Sequence, residues 1–209
     1  MIKISLNDII TINEAAKALK QRTFIMIGNC LYGLDFINTY IIKAEINPDR
    51  LSPECITNIG LQFNQRELSN FVKVLSIESD FEVDINLREN KFYTKNGKNE
   101  LNIIIDKNIT NFVLDRIKYI NNIDFQCKTE EDITNQIQDL YLLKKDDGGY
   151  YFIYKDKYYI TLFYGLLPLN KNNKINLSIV DQGNIFISRF RINKKYPITV
   201  YIQYLNMKK

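Results

Sequence analysis

Asp84, Glu89 and Lys91 are the residues of this chain whose types and spacing come nearest to a reaction centre. Two carboxylates that hold magnesium, beside a lysine aimed at a scissile phosphate, make a nuclease site. Here the acid and the lysine fall in Leu87-Arg88-Glu89-Asn90-Lys91, a composition that predicts a charged hairpin turn, and a solvated turn is the better reading. The chain has no histidine. That removes the commonest general base, the usual triads and most transition-metal sites. Cys30, Cys55 and Cys127 are odd in number and share no paired spacing, so they read as buried thiols rather than a disulfide framework or a zinc site. Gly148-Gly149 precedes a strand and not a helix, so no glycine-rich phosphate loop is present. An enzyme built from this chain would have to run on carboxylates, lysines or tyrosines. No catalytic residue, metal ligand or cofactor is assigned.

Non-covalent chemistry has two candidates. The run Tyr150-Tyr151-Phe152-Ile153-Tyr154-Lys155-Asp156-Lys157-Tyr158-Tyr159-Ile160 interleaves aromatics with lysines. Such side chains stack bases on single-stranded nucleic-acid platforms, although a β-hairpin with a packed aromatic face has the same composition. The second candidate is a set of outward helix faces. Lys17, Lys20 and Arg22 sit on or just beyond a first helix, and Arg66, Asn70 and Lys73 on a second. Lys144 and Lys145 follow a third. Each set alone is a solvated face. Together, on helices sharing one side of a sheet, they would form a diffuse positive surface that meets phosphates and reads no sequence.

The elements that position these residues can be read from periodicity. Leu6 to Leu19 predicts a helix, with Asn13 placed on its polar side beside Lys17 and Lys20. Strands are expected at Thr23–Ile27, Leu31–Phe36 and Tyr40–Ile46, and the two prolines of 47–53 predict a loop. Then come a strand at Ile59–Phe63 and a helix at Asn64–Ile77. That helix has Leu68, Phe71, Val72 and Leu75 on one stripe and Arg66, Ser69, Asn70 and Lys73 opposite. Strands at Phe81–Leu87, Lys91–Thr94 and Leu101–Ile105 close this half, with Asn96-Gly97 as a hairpin signal. The Asn-rich stretch 106–122 reads as a connector with room for a short helix. Beyond it, Thr129 caps a helix over Glu130–Leu143 whose first turn is acidic, and an antiparallel meander follows from Tyr150 to Leu205. The class is α+β, with short helices on one side of antiparallel sheets.

Bulk properties fit a folded globular chain, with 25% charged and 45% hydrophobic residues. The lack of a long apolar run and of a signal-peptide pattern gives an intracellular, cytoplasmic expectation. Residues 1–109 carry a net −1 and residues 110–209 a net +5. The second half is thus compatible with a polyanion but far from an extreme nucleic-acid binder.

The order strand–helix–three strands, used twice before residue 106, resembles the DNA polymerase sliding clamps, the ring-forming processivity factors. The resemblance rests on helix Leu6–Leu19, on Phe24-Ile25-Met26-Ile27 and the next two strands, and on Gly60-Leu61-Gln62-Phe63-Asn64 leading into the second helix. It implies two clamp-like domains, 1–106 and 123–209, joined by a connector at 107–122. Residues Gly165-Leu166-Leu167-Pro168-Leu169 lie where a second helix of the later domain belongs, and Pro168 reduces it. The resemblance further implies a homotrimeric ring around duplex DNA, with the helix faces lining the hole; the richness in Lys, Asn, Ile and Tyr gives the expectation of a phage or another A+T-rich replicon. Polymerase and clamp loader would be its partners, received in a peptide groove for which Phe112, Val113, Tyr201 and Tyr204 are candidates. No covalent chemistry is implied. A single-stranded nucleic-acid binder using Tyr150–Tyr164 and a structural or virion assembly protein are the alternatives.

Overall fold

The structure is a computed structural model describing residues 3–34, 40–75, 82–86, 90–94, 99–122, 127–129, 149–154, 157–162, 175–181, 185–192 and 195–207. The chain divides into two compact units. One comprises Met1–Gly33 with Ala44–Ile117, the other Leu34–Lys43 with Lys118–Lys209.

The first unit begins with a short strand, β1 (Lys3–Ser5), that runs directly into helix α1 (Leu6–Leu19). Ser5 and Asp8 cap the helix reciprocally: the Asp8 N–H donates to Ser5 Oγ, and the Ser5 N–H donates to the Asp8 carboxylate. The helix ends at Lys20, which takes the left-handed conformation (φ 58°). Strands β2 (Thr23–Ile27) and β3 (Cys30–Leu34) pair across the two-residue turn Gly28-Asn29. Gly28 has φ 61°, the conformation that the first position of a type II′ hairpin turn needs. β4 (Tyr40–Glu45) follows. The proline loop contains two 3-10 turns, Pro48–Arg50 and Pro53–Cys55, each with proline at its start, where the missing N–H is harmless.

β5 (Leu61–Asn64) lies antiparallel to β2, and helix α2 (Gln65–Leu75) leaves it immediately. The Asn64 side chain accepts from the N–H groups of Arg66 and Glu67 and so caps α2. β6 (Glu82–Asn86), β7 (Lys91–Thr94) and β8 (Glu100–Asn102) form a four-stranded antiparallel sheet with β1, in the order β1-β6-β7-β8. The core between these layers is Ile9, Ile12, Ala16 and Leu19 of α1 with Leu68, Phe71 and Leu75 of α2, all buried. Phe63 is stacked between Phe24 and Phe92, at centroid distances of 5.2 and 5.8 Å.

The stretch read as a connector with room for a short helix contains a 15-residue helix, α3 (Lys107–Asn121), capped by Asp106. Val113 and Ile120 are buried on it. Within the first unit, α3 comes close enough to the chain entering β5 that Gly60 has no room for a side chain. A Cβ there would overlap Thr110 Oγ1 and lie 3.3 Å from Ile25 Cγ2. Gly60→Val is therefore expected to lower stability by about 1–3 kcal/mol, read as a reduced urea midpoint at constant slope.

The second unit is a meander. β12 (Ile175–Asp181), β13 (Ile185–Ile192) and β14 (Ile198–Met207) pair antiparallel in sequence. β9 (Cys127–Thr129) adds to the free side of β12, and β4 lies next to β14. β10 (Gly149–Tyr154) and β11 (Lys157–Leu162) form a hairpin, and β11 also pairs with β14. The expected Glu130–Leu143 helix, the turn at Asn96-Gly97 and the stretch 165–169 lie outside the described residues. No described helix is long and apolar enough to cross a membrane.

Candidate nucleic-acid interface

Helices α1 and α2 are neighbours on one side of the first unit, and hydrogen bonds fix how they meet. Ser69 Oγ donates to Asn13 Oδ1 at 2.8 Å, and Gln65 Nε2 donates to Ser69 Oγ at 2.9 Å. At the end of α1 the Arg22 carbonyl accepts from the Gln65 N–H that opens α2, at 2.9 Å. The end of one helix therefore abuts the start of the other while their middles are tied. The pair runs antiparallel.

This joint corrects two expectations. Asn13 is 4% exposed and does not lie on the outward polar side of α1. Ser69 is half-buried and turned toward α1. Both were legible only as polar residues of a helix. Their partner lies 56 residues away, so periodicity within one helix could not separate a joint from a solvated face.

What remains outward is basic with a few acids. Lys17, Lys20, Arg22, Arg66, Asn70 and Lys73 are all exposed. All six belong to the first unit. On α2, Arg66, Asn70 and Lys73 follow at i, i+4 and i+7, one stripe of the helix surface. Arg22 and Arg66 lie at the same end of the helix pair, because Arg22 meets Gln65 through its backbone. Glu67 shares the exposed surface of α2 and sits in the first turn, where the macrodipole favours an acid. Glu14 of α1 is paired with Arg50 at 3.5 Å. Long cationic side chains on a rigid helix pair can meet phosphate oxygens over a range of positions, with no base selectivity. Lys144 and Lys145 lie outside the described residues.

The other candidates are placed as follows. Phe112 of α3 is 37% exposed, whereas Val113 is fully buried and offers nothing to a peptide. Tyr201 on β14 is half-buried; Tyr204 lies on the same strand, paired with Phe186. The aromatic run is a hairpin with Tyr151 opposite Ile160 and Phe152 opposite Tyr159. Lys91 Nζ meets Glu100 Oε2 at 2.9 Å, so the lysine of the nuclease-like trio is engaged by an acid from the neighbouring strand. Asp84 lies on β6 opposite Tyr93, and Glu89 is outside the described residues.

Two further groups are built in but belong to the scaffold. The Asp8 carboxylate accepts from the N–H and hydroxyl of Ser5 and from the N–H and hydroxyl of Ser52, at 2.6–2.7 Å. Burial pushes its pKa up, but the hydrogen bonds from Ser52 and Ser5 outweigh that and hold it below the ordinary 3.8. Cys55 is buried nearby; burial, then the Asp8 charge, push its thiol up to about 12, which leaves it an unreactive thiol.

No protein-family model matches the sequence, and no curated protein matches it. The fold does have solved counterparts. A provisionally assigned DNA polymerase III beta subunit from Eubacterium rectale superposes over 99% of this chain with a TM-score of 0.51 at 12% identity. This chain spans 65% of that one. Proliferating cellular nuclear antigen from Entamoeba histolytica is matched over 99% of this chain and 98% of its own, with a TM-score of 0.42 at 12% identity. The Helicobacter pylori beta clamp is matched over 100% of this chain and 65% of its own, with a TM-score of 0.43 at 9% identity. Antiparallel sheets carrying short helices are what this chain shares with the Eubacterium rectale structure, and its fold is that of a DNA sliding clamp.

Proposed function

We propose that the chain is a DNA polymerase processivity factor, a sliding clamp that encircles duplex DNA and tethers a polymerase. The observation that carries this reading is the antiparallel α1/α2 pair with Lys17, Lys20, Arg22, Arg66 and Lys73 on its exposed side. It is supported by the clamp fold, in which a basic helix layer has an evident use: sliding needs phosphate contacts that do not depend on sequence. Two clamp-like domains per subunit, three subunits per ring and delivery by a clamp loader complete the proposal. Closure of a ring would also satisfy the strand edges that a β-rich chain leaves open. Phe112, exposed on α3 as Tyr119 also is, is the side chain offered to a partner peptide.

The test is topological. Protein loaded onto circular duplex DNA should stay bound through a high-salt wash and fall off when the circle is cut. Light scattering should give a mass near three times 24.7 kDa. A chain that stays monomeric at high concentration and leaves circular and linear DNA equally fast would sink the reading.

A further inference from the structure

Residues 182–209 contain six lysines and arginines and no acid, while residues 1–181 together carry a net −2. The β13–β14 hairpin lies within this segment, with Arg189, Arg191 and Lys195 among its described residues, and its register sorts the side chains. Ile192, Ile198, Val200 and Ile202 are buried on one face. Arg189 and Arg191 point to the other, where Arg189 lies opposite Tyr201 and Arg191 opposite Thr199. Arg191 is exposed, Arg189 and Tyr201 are half-buried, and exposed Lys195 at the turn lies 5.5 Å from the Tyr196 ring centroid. The two arginines are roughly 6.7 Å apart along the strand. Burial, then the charge of Arg191, push the Arg189 pKa down, while Tyr201 pushes it up. Two like charges are thus held side by side, and a bound anion would relieve their repulsion.

We propose that this face of the β13–β14 hairpin binds single-stranded nucleic acid, with Arg189 and Arg191 on the phosphate backbone and Tyr201 beneath a base. Guanidiniums take phosphates in bidentate fashion. An acidic peptide would satisfy the charges equally but would leave the tyrosine ring without a stacking partner, and stacking on a sheet face is what single-strand binders add to charge. The surface belongs to the second unit and is independent of the α1/α2 pair.

The probe is a fluorescent oligothymidylate titrated with the full chain. Arg191→Glu is expected to weaken binding about tenfold, and Arg191→Gln to lower the slope of log affinity against log salt by about 0.7. Tyr201→Leu should weaken binding roughly five- to tenfold and leave that slope unchanged. Arg191 is exposed, so its variants should keep the wild-type circular dichroism and melting; Tyr201→Phe retains the ring and should retain binding. Combined neutralisation of Lys17, Lys20, Arg66 and Lys73 should leave oligothymidylate binding intact, which separates this surface from the clamp reading. Unchanged oligothymidylate binding by Arg191→Glu overturns the proposal. So does a wild-type chain that binds polyglutamate and not the oligonucleotide.

Discussion

Asp8→Asn should destabilise the protein by about 2–4 kcal/mol, the cost of leaving buried donors facing a donor. The geometry allows no rescue by rotating the amide. One carboxylate oxygen of Asp8 accepts three hydrogen bonds, from the Ser5 N–H, the Ser5 hydroxyl and the Ser52 hydroxyl, and the other accepts the Ser52 N–H. An amide NH2 placed at either position meets at least one N–H. The loss reaches both the start of α1 and the 3-10 turn Pro53–Cys55, since Ser52 immediately precedes that turn. Urea unfolding measures it as a lowered midpoint.

The same residue gives a pH signature. Its folded pKa lies below the ordinary 3.8. The stabilisation is therefore complete above the unfolded value and is lost as pH falls through the folded one. The melting temperatures of the wild type and Asp8→Asn should differ most near neutrality and converge below about pH 4. A difference that is constant from about pH 3 to 7 would mean that the carboxylate charge does not contribute.

Neutralising Lys17, Lys20, Arg66 and Lys73 together, as glutamines, should reduce polymerase stimulation at least about tenfold at near-physiological salt. Each phosphate contact removed lowers the salt slope on duplex DNA by about 0.9. All four side chains are exposed and none contributes to the core. Lys17 and Lys73 sit in the last turns of their helices, so their loss costs a few tenths of a kcal/mol each through the macrodipole. Stability should otherwise hold within about 1 kcal/mol. If stimulation is unchanged while the melting curve is also unchanged, the helix pair is a solvated surface and DNA is held elsewhere.

Much of the first unit was legible because its helices and strands alternate cleanly. The spans of α1 and β2 follow directly from apolar spacing, since Ile9, Ile12, Ala16 and Leu19 all reach the core. Helix α3 was harder. Ile109, Val113, Ile117 and Ile120 do follow helical spacing, but Asn108, Asn111, Asn121 and Asn122 have low helix propensity and made the segment look irregular. Tertiary burial of Val113 outweighs that propensity, and the same burial removes Val113 from any peptide groove. The basic residues of the candidate interface were readable from each helix alone. The Asn13–Ser69 joint was not, because nothing local distinguishes a polar residue that bonds another helix from one that bonds water. The hairpin register of β13 and β14 similarly placed Arg189 opposite Tyr201, a pairing that depends on where the turn falls.

The second unit takes Leu34–Lys43 from within the sequence of the first. During synthesis, the backbone of β4 is made early but its neighbour β14 ends only at Met207. At ribosomal speeds that leaves the strand waiting roughly 10–30 s with one edge unsatisfied. The sequence of the first unit is thus interrupted by a segment that belongs to the second. A nascent chain stalled before residue 198 would display β4 as a sticky edge, so chaperone dependence should fall on the last stage of translation rather than on the helix layer made first.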